Sequence, residues 1–207
     1  MELFIPTIDP ELENMKLPSP ELVEYYSDLE KREMWINFDI DDSLFDFTKK
    51  IYQYNKEDME NNIPAEMRKP IYIYVFSYGG EVENCLAFVS AILASKTPVI
   101  TVNCGIAMSC GALIFLAGQK RYMTKLGTVL IHNGSSSGGG GTYEQNVAQQ
   151  ENYNATVDKF KKYILERTNI DPKVYNKHRS KEWYLYAEDC IKYGIATDLI
   201  ENIEDIY

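Results

Sequence analysis

Apolar and polar positions along this 207-residue chain fall into blocks of two different periods, which together predict an α/β order of strand, turn and helix. The run Ile71-Tyr72-Ile73-Tyr74-Val75-Phe76 has the character of a buried strand. It ends in Ser77-Tyr78-Gly79-Gly80, after which Val82, Leu86, Val89 and Leu93 recur at helical spacing. The same unit then repeats: the β-branched run from Val99 to Asn103, a turn from Gly105 to Gly111, and the apolar stretch from Ala112 to Ala117. A third apolar run, Thr128 to Ile131, closes on His132. Upstream, the pattern predicts a helix over 21–34, an aromatic-rich helix over 43–57, and a polar connection over 58–70 closed by Pro64 and Pro70. Downstream, it predicts one long helix over 142–167. The first half of that helix is polar, while Val157, Phe160 and Ile164 return at helical spacing in the second. No linker separates two cores, so a single domain over 1–207 is expected.

Two of the turns carry chemistry. Ser109 stands at the N-terminal end of a wholly apolar helix, where free backbone N–H groups and the positive end of the helix dipole favour a negative oxygen. A serine there either caps the helix or acts as an acyl-transfer nucleophile, and the turn alone leaves both readings open. The Gly79-Gly80 pair lets the main chain turn sharply with its amides bare, as a second oxyanion donor requires. His132, one of two histidines, is either a packed side chain or a base.

In this order and spacing the segments resemble the proteolytic subunits of the Clp protease family, barrel-forming ATP-dependent serine peptidases. The resemblance begins at Leu3-Phe4-Ile5-Pro6-Thr7 and runs through Tyr26-Ser27-Asp28-Leu29-Glu30 and Asp39-Ile40-Asp41-Asp42. It continues over both strand-turn-helix units and closes at Ala187-Glu188-Asp189 and Tyr193-Gly194-Ile195-Ala196. It implies an α/β spiral of repeated ββα units, shared with crotonase-like proteins, and a protruding handle helix, with 134–167 as glycine-rich strand plus handle. It makes Ser109 the nucleophile, His132 the general base, and the amides of Gly80 and Cys110 the oxyanion hole. Counting back from Tyr193-Gly194 puts Glu182 on the catalytic acid, with Glu replacing Asp and Lys181 replacing the neighbouring Arg. His178, one helical turn earlier, is the alternative orienting group.

The resemblance further implies that the stretch Gly134, Ser135, Ser136, Ser137 pairs with the substrate backbone, and that Tyr72 and Tyr74, alternating outward, receive a hexameric AAA+ unfoldase. Residues 1–20 correspond to the axial loop, here a few residues longer than in the family. The expected assembly is a homo-oligomer of two stacked heptameric rings acting on unfolded polypeptides, with no cofactor and no metal.

Composition narrows the remaining choices. A pI near 4.8 and a formal charge of −10 argue against nucleic acid as a partner. Cys85, Cys104, Cys110 and Cys190 show no paired spacing, which suits a reducing compartment. No run reaches the roughly 18 to 20 apolar residues of a membrane span, so no membrane association and a cytoplasmic location are expected, the host cytoplasm for a viral source. Two alternatives stand beside the peptidase: a weakly active or non-cleaving subunit of a mixed ring, suggested by Glu182 and Lys181, and an acyl-CoA enzyme of the crotonase type.

Overall fold

The computed structural model describes residues 19–134 and 140–207. The expectations placed on the first 18 residues and on Ser135, Ser136 and Ser137 lie outside them. The chain divides into a short unit ending at Arg32 and a main unit, Glu33–Tyr207. The short unit holds helix α1, Pro20–Glu30, with proline in its first turn and Ser19 accepting from the Leu22 amide. The helix stops well before residue 34, because Arg32 turns into the left-handed region at φ 63°.

The main unit is a parallel sheet overlaid by helices. In chain order it comprises β1 (Glu33–Ile36), α2 (Leu44–Glu60), β2 (Ile71–Ser77), α3 (Val82–Ala94), β3 (Val99–Met108), α4 (Cys110–Ala117), β4 (Lys120–Met123) and β5 (Thr128–Ile131). There follow α5 (Tyr143–Arg167), α6 (Pro172–His178), β6 (Trp183–Tyr186), α7 (Ala187–Lys192) and β7 (Asp198–Leu199). Strands β1-β2-β3-β4-β7 lie side by side and pair in parallel. The long strand β3 changes partner along its length: Ile100–Asn103 pair with β4, while Ile106–Met108 pair with β5. That switch places the ends of β3 and β5 together. β6 runs antiparallel to β5 and extends this branch of the same sheet.

A helix apolar on every side must be buried on every side. All eight residues of α4 are buried, packed on β3 and against α3. α5 is the long helix expected over 142–167. Thr142 and Gln145 form a capping box at its start, residues 143–152 are all exposed, and Phe160 and Ile164 anchor its second half.

Tyr72 and Tyr74 do not alternate outward. They are 8% and 4% exposed and pack with Val102, Tyr122 and Ile206. Trp35 stacks on Tyr74 at 4.1 Å, and the Tyr207 hydroxyl lies 2.8 Å from that of Tyr74. The C-terminal segment covers the face of β2 that local alternation assigned to solvent. This burial raises the phenol of Tyr74 far above its ordinary value.

Candidate active site

Ser109 sits between β3 and α4 at φ 53°, ψ −120°, a backbone conformation that is costly for a residue with a side chain. Its main chain is fixed on both sides. The amide donates to the Leu130 carbonyl at 2.9 Å, and the carbonyl accepts from the amides of Ala112 and Leu113. Its hydroxyl caps nothing in the helix. Instead Ser109 Oγ lies 2.7 Å from His132 Nε2. Pairing of Ile106–Met108 with Thr128–Leu130 delivers both side chains to one point, since each directly follows its strand. The capping alternative is thus set aside by geometry. Strain of this kind on a serine at a strand-to-helix elbow is what exposes a nucleophilic hydroxyl.

The two glycines explain themselves sterically. A Cβ on Gly79, at φ 108°, would stand 2.7 Å from Ser109 Cβ, and one on Gly80, at φ 146°, would stand 2.1 Å from the Ile40 carbonyl oxygen. In the bridge to Ile40 the hydrogen bonds use the Gly79 carbonyl and the Glu81 amide, which leaves the Gly80 amide out of the ladder. The Cys110 amide, at the first position of α4, is likewise without an intrahelical partner. Among the described residues neither amide has a hydrogen-bond partner, so each can donate to a negative oxygen. Thiols tie this wall together: Cys110 Sγ donates to the Gly80 carbonyl at 3.3 Å, and Cys85 Sγ donates to the Cys110 carbonyl at 3.4 Å. Cys85, hydrogen-bonded to the Cys110 thiol and fully buried, is held well above the usual thiol value and keeps its proton. All four cysteines are free thiols.

The opposite end of α4 is held by two cations. Arg167 donates to the carbonyls of Leu116 at 2.9 Å and Ala117 at 3.3 Å, and Arg121 to that of Gly118 at 3.1 Å. Positive charge at a helix C-terminus opposes the macrodipole's negative end and satisfies its last carbonyls.

Glu182 occupies a suggestive place without the expected bond. The β5–β6 register ends with Ile131 opposite Trp183, and His132 directly follows the one as Glu182 directly precedes the other. Yet its carboxylate accepts the hydroxyl of Tyr184 at 3.0 Å, and among the described residues no hydrogen bond joins it to His132. Residues two apart on a strand share a face, so Tyr184 competes for this carboxylate. That bond raises the Tyr184 phenol above its ordinary value. His178 does not orient His132 either. It stacks on Trp183, with ring centroids 4.4 Å apart.

An apolar pocket adjoins the pair, lined by Val82, Leu113, Ile131, Phe160 and Ile164 beside Ser109 and His132. Gly134, the one described member of the stretch expected to pair with substrate, lines it too. Sequence reasoning missed Tyr184, Cys85 and Arg167. For Tyr184, its i+2 relation to Glu182 was a readable signal, whereas the partners of Cys85 and Arg167 are distant in the chain. Among the described residues no cluster of three metal-ligating side chains is found, and no helix is long and apolar enough to cross a membrane.

The Clp protease family model matches residues 24–203. An ATP-dependent Clp protease proteolytic subunit of Streptococcus mutans is 31% identical over 160 residues, covering 72% of this chain and 82% of the relative. An ATP-dependent Clp protease proteolytic subunit 2 of Treponema denticola is 32% identical over 140 residues, covering 67% and 70%. Among solved structures, a mutant of ClpP1 from Listeria monocytogenes superposes with a TM-score of 0.71 at 22% identity, covering 90% of this chain and 99% of the other.

Proposed function

The chain belongs to the Clp protease family, and from that premise we propose how its own residues carry out serine endopeptidase chemistry. Ser109 attacks the peptide carbonyl while His132 Nε2, 2.7 Å away, takes the hydroxyl proton. The amides of Gly80 and Cys110 receive the tetrahedral oxyanion. His132 then returns the proton to the leaving amine, and water repeats the sequence on the acyl-enzyme. Glu182 completes the triad by turning from Tyr184 toward His132. The apolar pocket of Val82, Leu113, Phe160 and Ile164 takes the side chain preceding the scissile bond, and the strand after His132 pairs with the substrate backbone. The observation that carries the reading is the Ser109–His132 bond at a strained, uncapped serine.

The active form is an assembly of copies, two stacked heptameric rings, fed with unfolded polypeptide by a hexameric ATP-driven unfoldase. The exposed polar half of α5 supports ring-to-ring contact, since a helix with so little to bury gains little alone. Docking of the unfoldase at Tyr72 and Tyr74 is not retained, because the C-terminal segment covers both rings.

A second reading has one observation in its favour: with Glu182 bound to Tyr184, His132 has no carboxylate partner among the described residues, as in a weakly active subunit of a mixed ring. The acyl-CoA alternative gains no such support. The test is cleavage of a fluorogenic peptide with a leucine before the scissile bond. Purified protein cleaves it and Ser109→Ala does not, while retaining its circular dichroism. Equal cleavage by that variant would remove Ser109 from the mechanism.

A further inference from the structure

A groove of about 690 Å³ runs from the apolar pocket along the start of α3 and the middle of α5. It shares Val82, Gly134 and Phe160 with that pocket, so it opens directly beside the site at Ser109. Its lining is charged on one wall only. Asp41, Glu81 and Glu83 contribute carboxylates, with Asn152 and Tyr153 of α5 also in the lining, and among the described residues no lysine or arginine lines it. The bonds these carboxylates make are to neutral donors: Asp41 accepts from the amide and hydroxyl of Ser43, and Glu81 accepts from Asn84 Nδ2 at 2.8 Å. Among the described residues none of the three forms an ion pair, so their charge is uncompensated. The Ser43 bonds also hold the Asp41 carboxyl below its ordinary range, keeping it ionised.

Position makes this charge specific. Glu81 and Glu83 flank Val82, which is itself a wall of the apolar pocket, and they directly follow the Gly80 amide donor. Because Val82 lines both pocket and groove, a peptide with one residue in the pocket carries its neighbouring residues past the flanking Glu81 and Glu83. We propose that this groove selects peptides with a lysine or arginine adjacent to the apolar residue at the scissile bond, and that Glu81 and Glu83 read that charge. The inference rests on the peptidase reading and names the substrate class of the same site. Exposed ion pairs of this kind are each worth roughly 1.4-fold to 5-fold in an equilibrium, so two acting together give a preference of about five-fold.

The test uses four fluorogenic peptides sharing one leucine before the scissile bond. The neighbouring residue is Ala, Lys or Glu in three of them, and in the fourth the Lys is moved six residues away. The expected order of kcat/KM is Lys, then Ala, then Glu, with about five-fold between the first two. The distant Lys matches Ala, and the spread shrinks in about 1 M salt. In Glu81→Gln/Glu83→Gln the Lys-to-Ala ratio, measured within the one variant, falls to about one. Glu83→Gln alone, at an exposed side chain, lowers the ratio part-way and serves should the double variant misfold. Equal rates on neighbouring Ala, Lys and Glu would overturn the inference and leave the peptidase reading standing. So would a lysine effect independent of position, which would trace to the chain's net charge of −10. Failure of the wild-type protein to cleave any of the four would contradict both.

Discussion

The hydroxyl of Tyr184 holds the carboxylate of Glu182 at 3.0 Å, one residue before the Trp183 that pairs with Ile131. A triad acid must accept the imidazole N–H that faces away from the nucleophile, which fixes the tautomer and offsets the charge of the imidazolium. One carboxylate thus has two claimants, and Tyr184 holds it in this structure. Removing the competitor should favour catalysis, so Tyr184→Phe is expected to raise kcat several-fold with little change in KM. Glu182→Gln is expected to lower kcat by one to four orders of magnitude, on the order of what loss of an orienting carboxylate costs elsewhere. Steady-state kinetics of the two variants checks this, and a Tyr184→Phe variant slower than wild type would show the tyrosine to be a support.

The glycine turn behind the nucleophile makes a second expectation. A methyl group on Gly79 would collide with Ser109 Cβ at 2.7 Å and with the Met108 carbonyl at 2.9 Å, at a φ of 108° that alanine rarely adopts. Gly79→Ala should therefore displace the elbow, destabilise the fold by about 1 to 3 kcal/mol, and lower kcat by about a hundred-fold or more through the misplaced oxyanion wall. Gly140→Ala, where no atom of the described residues lies within 4 Å of an added Cβ, is the control and should behave as wild type. Denaturant titration and peptide hydrolysis read the two effects separately.

Stability should fall in alkali. Burial raises the thiol of Cys104 to about 11 and that of Cys190 to about 12, from an ordinary 9.0. The folded chain then keeps protons that the unfolded chain releases, so the unfolded state is favoured as pH rises. The contribution is intact below pH 9 and is lost progressively between about 9 and 12. Urea midpoints measured from pH 7 to 11 should be flat at first and then decline. Cys190→Ala should flatten the decline while lowering stability at pH 7, and an unchanged slope in that variant would exclude Cys190 as a source.

Assembly is checked by analytical ultracentrifugation. The exposed residues 143–152 of α5 should support a species of about fourteen copies, whereas deletion of that segment should leave single rings or smaller. A protein that stays monomeric at micromolar concentration contradicts the barrel.

Local signals in the sequence carried most of the site. The strands before the two turns, the buried helix after Ser109 and the long helix α5 all announce themselves by their apolar pattern, because the positions they bury are the apolar ones. The four-residue strand Glu33–Ile36 did not, since Met34-Trp35-Ile36 follows a charged stretch and its partner β2 is about 40 residues away. Tyr72 and Tyr74 were misread for the same physical reason: alternation reports a strand's two faces, while what covers them is decided by Tyr122, Ile206 and Tyr207, distant in the chain. Ser109 and His132 were legible as a pair because each ends a strand, and parallel pairing of β3 with β5 brings those ends together. Glu182 was found by counting, but Tyr184's claim on it depends on side-chain geometry.

The central claim is that Ser109 is the activated nucleophile. A fluorophosphonate probe reacts only with a serine whose hydroxyl is activated by a base, and peptide mapping by mass spectrometry locates the adduct. The expected result is a single modified residue, Ser109, with labelling lost in His132→Ala and peptidase activity falling in step with adduct formation. An adduct on any other serine, or labelling of Ser109 unaffected by loss of His132, would contradict it.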